Sequence, residues 1–198
     1  MKKILLFTLL LVLSFGAFSQ EESKTIPVDT LKQKKEGFVF KGVKWGVRGG
    51  YNISNLDFED GSSANIPNKH RNSVYIGFFA NIGLSRTISL NPELQFSAEG
   101  ANDERLHLDF IQAPVLLRFR LSEKIHVAAG PQAGLKVHKY EDGMKNITYS
   151  AVGGVEYKIT HVLFAEARYT YGISNVFDED TGISARNTNI QLGIGYKF

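Results

Sequence analysis

Apolar and polar positions alternate along this chain in short runs, and the last run is the clearest. Within residues 187–198, Ile190, Leu192, Ile194, Tyr196 and Phe198 interleave with Asn189, Gln191, Gly193, Gly195 and Lys197. A period of two puts one set of side chains on each face of a strand. The same reading predicts seven further strands: 43–54, 74–84, 88–99, 106–121, 125–137, 147–159 and 162–173. In the third, Leu90, Leu94 and Phe96 oppose Asn91, Glu93, Gln95 and Ser97. In the fourth, Ile111, Val115, Leu117 and Phe119 oppose Gln112, Arg118 and Arg120. The seventh sets Leu163, Ala165, Tyr169 and Tyr171 against Glu166, Arg168 and Thr170. The second, 74–84, is apolar on both faces and carries the weakest period.

The connections between these strands have a rhythm of their own. Residues 55–72, 100–105, 140–146 and 174–185 are longer and polar, whereas 85–87, 122–124 and 160–161 are tight turns. Long loops on one side and short turns on the other are the pattern of an outer-membrane barrel. Each strand meets the roughly 9–11 residues that a tilted strand needs to cross the hydrocarbon. The expected fold is therefore all-β, an eight-stranded antiparallel transmembrane β-barrel over residues 42–198, with Tyr196 and Phe198 at the membrane boundary. An even strand number places both termini on the short-turn side, which export would make periplasmic. Pro92, Pro114 and Pro131 fall inside strands, where a missing ladder donor predicts a bulge or bend.

The beginning of the chain supports export. Lys2 and Lys3, an apolar stretch from Ile4 to Phe15, and Ala17-Phe18-Ser19 form the three parts of a secretory signal peptide, 1–19, with cleavage before Gln20. The apolar stretch is shorter than the about 20 residues of a membrane-spanning helix. Residues 20–41 are polar without a sustained period and read as a flexible periplasmic arm. Removing Lys2 and Lys3 from the 23 Lys+Arg leaves 21 against 20 Asp+Glu, so the mature charge is +1. That balance gives no support to nucleic-acid binding, which needs a concentrated basic stripe. There is no cysteine, hence no disulfide framework and no thiolate metal site.

Candidate chemistry lies mainly inside. Eight strands enclose a bore that side chains can fill, unlike the 16–18 strands of aqueous porins. The polar faces project Arg48, Glu93, Gln95, Gln112, Arg118, Glu156, Glu166 and Arg168 toward mid-height. Three Arg and three Glu at one depth are expected to form a connected salt-bridge network, because unpaired buried charge is costly. Such a network would occlude the lumen. The loops carry acids: Asp57, Glu59 and Asp60; Asp103 and Glu104; Glu141 and Asp142; and Asp178, Glu179 and Asp180. Asp178-x-Asp180-x-Gly182 imitates the opening of a calcium loop, but its twelfth position is Asn189 rather than a bidentate Glu. His70, His107, His126, His138 and His161 are scattered, and no nucleophile elbow is present. No catalytic, cofactor or metal residues are assigned.

Several segments resemble the small outer-membrane β-barrel proteins of Bacteroidota, described as PorT-like or porin-family proteins. They are KWGVRGGYNISNL (44–56), YIGFFANIGLS (75–85), SLNPELQFSAEG (89–100), LDFIQAPVLLRFRL (108–121), AAGPQAGL (128–135), ARYTYGISNV (167–176) and NIQLGIGYKF (189–198). The resemblance covers residues 43–198. It implies an OmpA/OmpX-like barrel, no established activity for most members, and, for PorT proteins proper, a link to type IX secretion. The expected role is a non-catalytic, monomeric envelope barrel. Its expected partners are outer-membrane lipid, lipopolysaccharide, the barrel-insertion machinery and other envelope proteins. The alternatives are an accessory of a secretion machine and a lipid-modifying enzyme.

Overall fold

A computed structural model describes residues 42–58, 69–102, 106–137, 143–178 and 183–198. The expected signal peptide and arm lie outside the described residues. Eight strands form, β1 Val43–Phe58, β2 Arg71–Gly83, β3 Ile88–Gly100, β4 His107–Arg120, β5 Ile125–Lys136, β6 Ile147–Lys158, β7 Leu163–Gly172 and β8 Ala185–Lys197. Each pairs antiparallel with its chain neighbours, and β8 closes on β1.

The register fixes the dimensions of the cylinder. From Val43 the pairing runs through Ile82, Leu90, Leu117, Ala129, Gly153, Tyr169 and Ile190 and returns to β1 at Ile53. One circuit therefore ends ten residues further along the strand at which it began. With a rise of about 3.3 Å per residue and a strand spacing of about 4.8 Å, that offset tilts the strands by about 40° and gives a radius of roughly 8 Å. Such a bore is just wide enough to be filled by side chains.

The prolines do not insert bulges. The β2–β3 register is the same on both sides of the unpaired stretch beside Pro92. The same is true of β3–β4 at Pro114 and of β4–β5 at Pro131. Each proline leaves a short gap in the ladder without adding a residue, so the alternation of faces is preserved. The first loop is shorter than expected at both ends. Residues 55–58 continue β1 because Asn55, Leu56, Asp57 and Phe58 pair with Thr188, Asn187, Arg186 and Ala185 of β8. On the other side, β2 already begins at Arg71.

The three short turns share one local device that is visible in the sequence as Leu84-Ser85-x-x-Ile88, Leu121-Ser122-x-x-Ile125 and Ile159-Thr160-x-x-Leu163. The Ser85 hydroxyl accepts from the Thr87 and Ile88 amides at 3.2 and 3.0 Å. Ser122 accepts from Lys124 and Ile125 at 3.2 and 3.0 Å, and Thr160 from Val162 and Leu163 at 3.3 and 3.0 Å. A hydroxyl that bonds the backbone two and three residues on tightens a turn without needing glycine. The chain therefore repeats one hairpin motif three times at the same end of the barrel.

Candidate functional site

The lumen is the polar face of every strand, and its centre is ionic. Arg48 on β1, Glu93 on β3, and Glu166 and Arg168 on β7 converge there with side chains almost wholly removed from solvent. Arg48 bridges both acids, Nη2 to Glu93 at 2.9 Å and Nη1 to Glu166 at 3.1 Å. Arg168 grips Glu93 with two bonds of 2.8 and 3.0 Å and reaches Glu166 at 3.3 Å. The Tyr75 hydroxyl donates to the other Glu166 oxygen at 2.8 Å. Two cations and two anions thus alternate around a closed ring, which neutralises charge that would be prohibitive alone. Room for the ring's tyrosine comes from Gly193, where a Cβ would lie 2.2 Å from the Tyr75 hydroxyl.

Beneath the ring, toward the short turns, lies an aromatic step. Phe79 and Phe164 meet edge to face, with centroids 5.8 Å apart. The Arg48 guanidinium stands 4.6 Å from the Phe79 centroid and Lys197 Nζ 4.3 Å from that of Phe164, both at cation–π range. Below the step, Glu156 receives Arg118 at 2.8 Å and Lys197 at 3.3 Å on one and the same oxygen. This layer opens into a cavity of about 450 Å³ at the short-turn mouth. Lys44, Arg86, Arg118, Arg120, Lys158 and Lys197 line it together with His126 and His161, and among the described residues no carboxylate does.

Toward the long loops the interior is closed. Glu99 is fully buried and accepts from Ser97 at 2.7 Å, Gln112 at 2.8 Å, Asn189 at 3.0 Å and also Asn187, all neutral donors. Gln95 donates to Gln112 at 2.7 Å and extends this layer toward the ring. A cavity at this level holds about 10 Å³, room for about a single water. Above it, Leu56, Leu106, Leu108, Phe110, Met144, Val176 and Phe177 pack into an apolar cap with Ala101 and Ala185. Asn175 secures the cap. Its oxygen accepts from the Phe177 and Ala185 amides, and its nitrogen donates to the Ile183 carbonyl.

Of the residues expected to share one depth, the structure brings four together and places Arg118 and Glu156 in a separate group nearer the short turns. The strand tilt explains the division: residues on different strands that look level in sequence are staggered along the barrel. Lys197 completes the second group, and its place on the polar face of the terminal alternation was the available signal. Phe164 shares the face of Glu166 and Arg168, and Glu99 that of Glu93, so parity alone would have found both. Tyr75 and Phe79 were hidden by the two-sided apolarity of β2. Register resolves that strand, turning Tyr75 and Phe79 inward and Val74, Ile76 and Phe78 outward. The calcium-like stretch largely falls outside the described residues.

The outer wall is the reverse of the lumen. Leu94, Phe96, Ile111, Val115, Leu117, Ile190, Leu192 and Ile194 all face outward and exposed. Aromatics sit at both rims of this belt, with Trp45, Tyr157, Tyr196 and Phe198 toward the short turns and Tyr51, Tyr149 and Tyr171 toward the loops. Tyr149 and Tyr157, eight residues apart on β6, are separated by about 20 Å along the axis at the tilt derived above. Two aromatic girdles around an apolar band of about 25 Å are the exterior of an outer-membrane barrel. Water would not tolerate so continuous an apolar surface on a monomer.

Solved structures with this architecture include Neisserial surface protein A, at 13% identity and a TM-score of 0.55, the match covering 80% of this chain and all of the other. Ail, the attachment invasion locus protein of Yersinia pestis, aligns at 17% identity and a TM-score of 0.49 over 79% of this chain and 99% of its own. OprG of Pseudomonas aeruginosa aligns at 11% identity and a TM-score of 0.42 over 78% and 95%. Among curated protein sequences there is no significant match. The family match spans residues 18–178, and this chain belongs to the outer membrane protein beta-barrel domain family.

Proposed function

We propose that the protein is a non-catalytic, monomeric barrel with an occluded lumen that serves as an envelope structural and interaction element, its termini and short turns on the periplasmic side. The observation that carries this reading is the stack of three barriers inside one bore: the aromatic step, the ionic ring and the apolar cap. In each, buried side chains of the described residues meet across the bore. The loop surface and the lipid-facing wall are then the parts available to lipopolysaccharide, and the terminal Tyr196–Phe198 segment is the part offered to the barrel-insertion machinery. Planar-bilayer recording of the purified protein tests the occlusion: steady baseline current is expected, and discrete conductance steps of porin size would refute it.

A narrower reading is favoured by the segments that resemble PorT-like proteins of Bacteroidota. In it, the chain is an accessory of a secretion or transport machine of the type IX kind, engaging partners through residues 20–41. Crosslinking in intact cells, with and without those residues, separates this from a freestanding envelope role. Lipid modification is the least supported alternative; unchanged lipid mass spectra in a deletion strain are expected.

A further inference from the structure

The basic vestibule at the short-turn mouth opens below the aromatic step, and the charge of its described lining is out of balance. We propose that it is a binding site for clustered phosphate oxyanions, carried by a small periplasmic solute or by an anionic lipid headgroup. Four observations converge. The cavity of about 450 Å³ is of ligand size. Six Lys and Arg side chains line it without a lining carboxylate among the described residues. Two of them, Arg118 and Lys197, already share a single oxygen of Glu156, and Lys44, Arg86, Arg120 and Lys158 form no ion pair among the described residues. Finally, His126 lines the same cavity with only 4% of its surface exposed, and its Nδ1 has no hydrogen-bond partner.

The ionic ring just above makes the contrast plain. There, two arginines meet two glutamates and every charge is answered. In the vestibule the described residues supply six cations against the single carboxylate of Glu156. Like charges converging on a concave surface raise the local potential and concentrate counter-ions. A single monoanion would satisfy little of this surplus, whereas adjacent phosphates could accept from Arg120 and Lys158 at the rim and from Arg118 deeper in. Guanidinium–phosphate bonds are strong because both partners are charged and the donor fork matches the oxyanion. The apolar side of the cavity, with Leu163 and Phe164, would accept the uncharged part of such a molecule.

The test uses the full-length protein in an uncharged detergent, with tripolyphosphate as the probe and titration calorimetry as the readout. One saturable site is expected, weakened by added salt and at least about tenfold by Arg120→Gln combined with Lys158→Gln, since two charge-assisted contacts are lost. Both residues are outside the ring and the cap, so thermal unfolding of this variant should match the parent. The control Lys69→Gln with Arg71→Gln, at the loop end, should leave binding unchanged. Native mass spectrometry from membranes separates the two sources of phosphate: an anionic phospholipid adduct lost in the rim variant identifies the headgroup, and its absence with tripolyphosphate binding intact identifies a solute. No saturable binding, binding indifferent to the rim variant, or binding of hexaglutamate but not tripolyphosphate would overturn the proposal, the last in favour of an acidic protein segment.

Discussion

At the loop end, Leu56, Phe110, Met144 and Phe177 close over the bore with apolar side chains, while at the short-turn end Lys44, Arg86, Arg120 and Lys158 surround an open cavity. The same eight strands produce both mouths, so the difference lies in what their polar faces carry near each end. Packing seals one end because apolar groups can exclude water with nothing left unpaired. Like charges cannot close the other, since bringing them together without anions is unfavourable. The aromatic step of Phe79 and Phe164 between them marks the depth at which the open cavity ends. Among the described residues the barrel is thus packed at the loop end and open at the short-turn end.

Four substitutions test this contrast. Glu93→Ala leaves Arg48 and Arg168 sharing Glu166 alone, one uncompensated positive charge in the buried centre, and should destabilise by about 4–5 kcal/mol, the upper part of the range for an orphaned buried charge. Urea unfolding in lipid would measure it, and a loss below about 1 kcal/mol would mean that water reaches the ring. Phe110→Ala, in the loop-end cap, should cost about 3–4 kcal/mol by leaving a cavity. A negligible cost in the same assay would show that the cap is not packed. Leu94→Arg places a charge near the middle of the outer wall and should cost about 2–3 kcal/mol in a bilayer. Arg120→Gln, at the open mouth, should change stability by no more than about 0.5 kcal/mol, as for exposed groups without specific partners. Comparable costs for Phe110→Ala and Arg120→Gln would erase the distinction between the two ends.

Much of the architecture is legible in the chain because membrane strands separate grease from charge residue by residue. The eight strands, their closure and the inward charges follow from a period of two. Three features do not. The ring and the Arg118–Glu156 pair look level in sequence, and only the ten-residue stagger of the register divides them. The apolar cap is assembled from residues that read as loop, such as Leu56, Met144 and Val176, whose burial depends on contacts between distant segments. The vestibule is invisible because its cations come from one turn and the ends of four strands, each unremarkable alone. The repeated Ser/Thr turns were legible but require the hairpins to be aligned first.

The central claim is that successive positions on one strand alternate between lipid and sealed interior; on β3 the even positions see lipid and the odd ones the interior. The chain has no cysteine, so single cysteines at positions 94, 95, 96 and 97 of β3 can each carry a bimane label in bilayers. Quenching by brominated lipid is expected at 94 and 96. At 95 and 97, resistance to labelling by a water-soluble thiol reagent is expected together with absence of lipid quenching. The opposite parity, or uniform labelling from water at all four positions, would contradict the account.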